Sequence, residues 1–371
     1  MLEELGTNDQ GDMIINVGPQ HPSTHGVLHL VITLHGETVK KVEPHLGYIH
    51  RSIEKMSESL SYRQFSYVTS RMDYLSSHIN NHACALAVEK GLQLEIPGRA
   101  QYIRVILDEL TRIASHQLWW GALAMDLGAF TPFFYSFRER EMINEIMEET
   151  CGARLTMNYI VPGGVMFDIH PDFVKKVKIF LSEFKSKIHE YNDLVTGNII
   201  FQNRTKGVGY ISRENAISYG MTGPSGRGSG FKCDVRKLHP YEIYDQLKFE
   251  EITEEGGDAF ARYMVRIREM EQSMNIIEQL IDNIPEGDIQ AKTKAVLKLP
   301  KGDFYSRVET ARGELGVYIV SEGGTTPYRI KYRSPGFSNL SALNDMAVGG
   351  KLGDLMATMG TLDLVIPDID R

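Results

Sequence analysis

The chain has 371 residues, enough to bury a substantial core without disulfide or metal staples, and 42% apolar against 24% charged side chains is the balance of a soluble globular protein. Forty basic against 48 acidic side chains give a formal net charge of -8, and no basic tract or aromatic-plus-basic stripe appears, which argues against nucleic acid as a partner. Cys84, Cys151 and Cys233 are odd in number, far apart and without a C-x-x-C pair; they suit a reducing compartment as small buried hydrophobes and cannot form a cysteine-rich metal cluster.

In chain order, the opening "MLEELGTNDQGD" is acidic and poor in apolar residues, unlike a signal peptide, and points to the cytoplasm. Residues 13 to 43 predict a small antiparallel meander of three β-rich runs, "MIINV", "VLHLVITL" and "TVKKVEP". The loop joining the first two is "GPQHPSTHGVL", Gly18 to Leu28. Pro19 and Pro22 fix their own φ and push the preceding residues toward extended backbone, while Gly26 is free to turn. His25 is thereby held at a loop tip, a candidate proton donor because imidazole titrates near neutral pH; the plainer reading is a histidine that satisfies a turn.

From about residue 51 to 200 the apolar period becomes helical. In "SRMDYLSSH", Tyr74 offers a phenol that donates its proton only to a strongly basic acceptor, such as a reduced carbonyl oxygen, and otherwise reads as an amphipathic core aromatic. His78 and His82 have the i, i+4 spacing of a metal pair, but no H-E-x-x-H glutamate and no third ligand accompany them. Ile103, Ile106, Leu107, Leu110, Ile113 and Ala114 form one stripe, with Arg104, Asp108, Glu109 and Arg112 opposite. Leu118 to Phe137, "LWWGALAMDLGAFTPFFYSF", is twenty residues with one charge, Asp126. Gly121, Gly128, Pro132 and that carboxylate argue against a membrane span and for a buried helix, a break and a second helix. A buried Asp126 needs a cation or donor, for which a histidine is suited; capping the break near Gly128 is the alternative. Thr131-Pro132 predicts a helix start and Cys151-Gly152 a helix end.

A further long helix is expected across 171 to 195. "GMTGPSGRGSG", Gly220 to Gly230, lacks the Lys-Ser/Thr ending of a phosphate loop and reads as a surface or interface loop. Residues 258 to 283 return to helix with a Met-rich core stripe. "GVYIVSEGGTTPYRIKYR" predicts a hairpin turning at Gly323-Gly324, and short helices precede "LDLVIPDIDR". The expected class is α+β: an N-terminal antiparallel meander, a central long-helix bundle, and a C-terminal hairpin with short helices. The expected organisation is 1–50 as the β region carrying the loop, 51–200 as the bundle, and 201–371 packed as one unit with it.

Seven stretches, "GPQHPSTHGVL", "YIHRSIEK", "RMDYLSSH", "LGAFTPFFYSFRERE", "VRIREM", "ARGELG" and the closing "DIDR", run in order across nearly the whole chain. With them the sequence resembles the 49 kDa (D-type) subunit of NADH:quinone oxidoreductase, respiratory complex I, and more distantly the large subunit of nickel-iron hydrogenases. Those hydrogenases hold their metals with R-x-C-G-x-C and D-P-C-x-x-C. The patterns align here with Arg71 to Ser76 and Asp363 to Asp368, where Asp73, Ser76, Val365 and Asp368 replace all four thiolates; Leu364 departs from the proline. A soft-ligand nickel site cannot form from these residues.

The resemblance implies that the emptied pocket receives a quinone headgroup, with His25 and Tyr74 hydrogen-bonded to its two carbonyl oxygens and Asp126 beside His25. It further implies that this chain binds no cofactor of its own and that electrons arrive from an iron-sulfur cluster in an adjacent subunit. The implied partners are that iron-sulfur subunit, other peripheral-arm subunits including a C-type one, and a membrane-arm subunit forming the quinone channel. The implied place is the cytoplasmic face of the bacterial inner membrane, peripherally bound with no transmembrane segment. Arg51 and Arg312 are expected to be structural. Two other readings stay open on the residues alone: a scaffold without chemistry, and a metal enzyme using His78 and His82.

Overall fold

The computed structural model describes residues 2–19 and 26–371. It is the expected mixed helix-and-strand class, with no closed barrel among the described residues. An antiparallel sheet opens the chain in the order β1 (Leu2–Thr7), β2 (Met13–Val17), β3 (His29–His35), β4 (Thr38–His45). The last three strands are the meander read from sequence. β1 is an addition: the acidic opening segment pairs with β2, its register shifting between Glu4 and Gly6. In β3 alternate residues Leu30, Ile32 and Leu34 point inward, so one face of the sheet is committed to the core.

Helices follow: α1 (Ile53–Ser57), α2 (Ser66–Thr69), α3 (Ser77–Leu92), α4 (Gly98–Asp126) and α5 (Thr131–Cys151). A small ribbon, β5 (Ile160–Val161) and β6 (Gly164–Val165), leads to α6 (Phe173–Tyr191), which runs on into a π-helical turn over Asn192–Thr196. Pro132 sits in the first turn of α5 and Gly152, at φ +76°, ends it; Thr131 is helical rather than the cap. The Leu118–Phe137 stretch does divide into two helices with a break after Asp126. The first is buried or half-buried along its length, whereas Phe130 and Phe134 at the start of the second are 65% and 69% exposed. No helix among the described residues is long and apolar enough to cross a membrane.

Four short helices, α7 (Ile199–Thr205), α8 (Arg213–Ser218), α9 (Gly223–Arg227) and α10 (Val235–Leu238), precede α11 (Ala259–Leu280), whose Met270 and Met274 lie in the core as expected. The predicted surface loop at 220–230 is a correction. It holds α9, Gly223 to Arg227 are all buried, and Arg227 is fully enclosed by acidic partners. Its glycines permit close packing: a Cβ at Gly228 would lie 2.8 Å from Arg262 Cγ.

The C-terminal hairpin is the second half of a three-stranded sheet, β7 (Lys301–Thr310), β8 (Gly313–Glu322) and β9 (Arg329–Arg333). Short helices α12 (Pro335–Ser341), α13 (Leu343–Ala347), α14 (Leu352–Gly360) and α15 (Ile366–Asp370) complete the chain. One apolar cluster joins α4, α5, α6 and α11; a second joins the N-terminal sheet to the last 30 residues; a third lies between α3 and β7–β9.

Candidate functional site

Tyr74 stands in an irregular turn between α2 and α3 that side chains pin from below. Asn80 Nδ2 donates to the carbonyls of Thr69 (3.2 Å) and Asp73 (3.0 Å), and Ser77 Oγ donates to the carbonyl of Tyr74 at 3.0 Å. Asp73 and Ser76 face inward and are buried, while Tyr74 between them is 38% exposed. The phenol therefore stands at the edge of a closed polar interior.

That interior is organised by Arg312, in the two-residue turn between β7 and β8, with its side chain fully enclosed. Its Nη1 donates to Asp73 Oδ2 at 2.9 Å, Ser115 Oγ at 3.0 Å and Ser76 Oγ at 3.3 Å; its Nη2 donates to Asp363 Oδ1 at 3.1 Å. The two segments that align with the hydrogenase cysteine pairs thus meet, and a guanidinium lies at their meeting point. The acidic partners offset its burial and keep it charged. Asp368, from the second segment, accepts from Ser334 Oγ, and burial followed by the nearby Asp73 charge pushes its carboxyl up to about 6. Burial likewise raises the Tyr74 phenol above its ordinary value, with Arg312 opposing and Asp73 and Asp363 adding to the rise.

Asp126 reaches the same C-terminal segment from the end of α4. Its Oδ2 would lie 3.8 Å from a Cβ on Gly360, and about two turns earlier Trp119 Nε1 donates to the Gly360 carbonyl at 2.8 Å. Gly360 in turn accepts from the Asp363 backbone N–H at 3.3 Å. Tyr74 and Asp126 are thereby tied to neighbouring parts of one segment. His25 lies outside the described residues, as do His21, Ser23 and Thr24. A cleft of about 700 Å³ beside α3 and β7, lined by Glu89, Lys90, Glu242 and Tyr305, includes neither Tyr74 nor Asp126.

The metal reading of His78 and His82 does not match their surroundings. His82 Nδ1 meets Asp108 at 2.6 Å and its Nε2 meets Glu242 at 2.9 Å, so both ring nitrogens are engaged. Burial opposes its charge, but the two carboxylates outweigh that and lift it to about 9, a protonated ring with no lone pair to give. Burial and the His82 charge push His78 down to about 3, and its Nε2 is 3.6 Å from Cys151 Sγ. Among the described residues, no group of three or more His, Cys, Asp or Glu side chains is arranged to hold a metal ion.

The amphipathic reading of α4 also missed how its polar face is used. Asp108, Glu109, Arg112 and His116 are all buried. Glu109 accepts from Arg236 at 3.1 Å; Arg236 donates to Glu269 at 2.8 Å; Arg227 joins Glu269 (2.7 Å) and Glu309 (3.2 Å); His116 Nε2 meets Glu269 at 2.8 Å. A sequence signal existed in the density of charge on α4, but most of the partners lie on other elements, among them α3, α10, α11 and β7. The same holds for Arg312, whose acidic partners are 239 and 51 residues away.

The family described as respiratory-chain NADH dehydrogenase, 49 Kd subunit, matches residues 126–371, about two thirds of the chain. The chain belongs to this family. It is 54% identical over 363 residues to the fused C/D subunit of the NADH-quinone oxidoreductase of Bacteroides fragilis, covering 98% of this chain and 68% of that protein. It is 48% identical to the D-type NADH-quinone oxidoreductase subunit of Bacillus cytotoxicus and 47% identical to that of Geobacillus kaustophilus, over 97% of this chain and 98% of each relative. The chain is accordingly a subunit of an oxidoreductase assembly whose partners are the other subunits of that complex.

Proposed function

We propose that this chain forms the quinone-headgroup site of its complex. Tyr74 and His25 hydrogen-bond the two quinone oxygens, and Asp126 stands beside His25. The observation that carries the reading is the half-open phenol of Tyr74 over the Arg312 junction, at the place where the aligned metal-binding cysteines are replaced by Asp73, Ser76, Val365 and Asp368. Two electrons arrive from an iron-sulfur cluster of a neighbouring subunit. As they arrive the quinone oxygens become basic, and Tyr74 and His25 each transfer one proton, giving quinol, a tyrosinate and a neutral imidazole. Loss of the imidazolium leaves Asp126 without that counter-charge, a strain that triggers proton translocation elsewhere in the complex.

The fused C/D name of the Bacteroides relative supports a C-type partner. Phe130, Phe134, Ile199 and Ile200, all well over half exposed, support burial against further subunits, among them the membrane-arm subunit that completes the quinone channel. The absence of a spanning helix among the described residues suits a peripheral position, which we place on the cytoplasmic face of the inner membrane.

The test is quinone reductase activity in assembled complex. Tyr74→Phe and His25→Ala are each expected to lower it about 100-fold with assembly intact. Asp126→Asn is expected to lower proton translocation per quinone reduced. Retention of full activity by Tyr74→Phe and His25→Ala would return the chain to the role of a scaffold.

A further inference from the structure

We infer that Arg312 is a positioning residue for proton donation by Tyr74: its guanidinium, clamped between Asp73 and Asp363, locks together the two segments that form the site and holds, against the residue next to Tyr74, the positive charge a nascent tyrosinate needs. The inference rests on the reading of Tyr74 as a proton donor to quinone and goes beyond it in assigning what sets the acidity of that donor.

Three observations carry it. First, Arg312 is fully enclosed and joins three otherwise separate pieces of chain: the Tyr74 turn through Asp73 and Ser76, α4 through Ser115, and the C-terminal segment through Asp363. Such a planar fork fixes direction as well as distance, which a lysine's point charge does not. Second, the turn bearing Arg312 is itself held rigidly. Gly223 packs so closely that a Cβ there would lie 2.5 Å from the Arg312 carbonyl oxygen, and Asn339 Nδ2 donates to that same oxygen at 3.3 Å. Third, the charged groups that act on the Tyr74 phenol among the described residues are three: Arg312 from the β7–β8 turn, Asp363 from the C-terminal segment, and Asp73 from its own turn. One cation thus favours the tyrosinate and two carboxylates oppose it. Asp368 lies within electrostatic reach of Asp73 and Arg312.

The proton balance is simple. When Tyr74 gives its proton to the reduced quinone oxygen, one negative charge appears on the phenol, and the Arg312 charge, already in place, stabilises it without reorganisation. The carboxylates hold the guanidinium where it is and add to burial in raising the resting phenol.

The test uses the assembled complex and reads kcat, KM for quinone and the alkaline limb of the pH profile, which reports loss of the Tyr74 proton. Arg312→Gln removes the cation: kcat should fall roughly tenfold with KM within about twofold, and the alkaline limb should move to higher pH. Arg312→Lys restores the charge without the fork, so the limb should return toward its original position. Asp363→Asn keeps an acceptor for Arg312 but removes a carboxylate, so the limb should move the other way, to lower pH. Opposite shifts from two members of one ion pair are not a result that a purely structural role produces.

If Arg312→Gln prevents assembly, the Asp363→Asn shift alone decides, and an unmoved or raised limb overturns the inference. Identical profiles for the Gln and Lys variants also overturn it. Tyr74→Phe separates the two levels. If that variant keeps wild-type kcat, the quinone-site reading falls and this inference with it. If it loses activity while the limb ignores Arg312 and Asp363, only the inference falls.

Discussion

At Gly223 a single hydrogen atom decides whether the site can close. The residue sits at φ +66°, in the region that side-chain-bearing residues rarely adopt, and a Cβ would meet Gly313 Cα at 2.4 Å and the Arg312 carbonyl at 2.5 Å, both backbone atoms unable to step aside. Gly223→Ala is therefore expected to cost more than about 3 kcal/mol and to displace the Arg312 turn, measured as a lower thermal inactivation temperature of the complex together with loss of quinone reduction. The Gly-rich stretch thus has a use that its sequence does not disclose. It is the thin layer that lets α9 lie directly on the β7–β8 turn, and Arg227, its one large residue, enters the ionic interior.

The long helix α4 shows the element scale. Twenty-nine residues at 1.5 Å rise give it a length of about 43 Å, and it is buried on nearly every side. Its apolar stripe packs on α5 and α11, and Trp120 stacks on Tyr191 at 3.9 Å between ring centres. Its acidic and basic face is equally enclosed, and most of its ion pairs are made with residues of other elements. Removing one member of such a pair leaves its partner buried and unmatched. His82 on α3 is the clearest case, since it binds Asp108 of α4 on one side and Glu242 on the other. Its folded pKa is raised from 6.5 to about 9, so its stabilisation is complete below pH 6.5 and is lost as the pH climbs through about 9. His82→Gln is expected to destabilise by about 3 kcal/mol at pH 6, with the gap from wild type narrowing across that window. Thermal unfolding at several pH values checks this, and a pH-independent gap would contradict it.

Over the whole molecule, the two chain ends close on each other. The N-terminal sheet shares its core with Leu362, Leu364, Ile366 and Ile369, and the backbone N–H groups of Gly47 and Ile49 donate to the Asp370 carboxylate at 3.0 and 2.9 Å. Val39 N also donates to the Gly350 carbonyl at 2.9 Å. The last dozen residues therefore hold the β region that carries the His25 loop and supply Asp363 to Arg312. Four fully buried aliphatic side chains represent roughly 6–12 kcal/mol of burial, comparable to the entire stability of a typical domain. Deleting residues 360–371 is expected to prevent the chain from entering its complex at all, seen as absence of assembled complex on a native gel; assembly without activity would show that the segment serves the site alone.

Residue order alone determined the elements whose signal is local. The meander strands alternate with period two, α5 is bracketed by Pro132 and Gly152, α11 repeats its Met and Ile at helical steps, and the break after Asp126 is marked by Gly128 and Pro132. The family motifs also place Tyr74 and Asp126 on a short list. What only the tertiary structure decided is which charges face each other. β1 has no strong pattern of its own and forms because β2 offers it an edge. Arg312 has the sequence context of a surface charge in a hairpin turn, yet three distant segments enclose it, and Arg104, Arg112, Arg227 and Arg236 share that fate. The reason is physical: an apolar side chain needs only to leave water, and its spacing along the chain reports that need, whereas a buried ion needs one particular partner, and a partner 239 residues away leaves no mark in the local sequence.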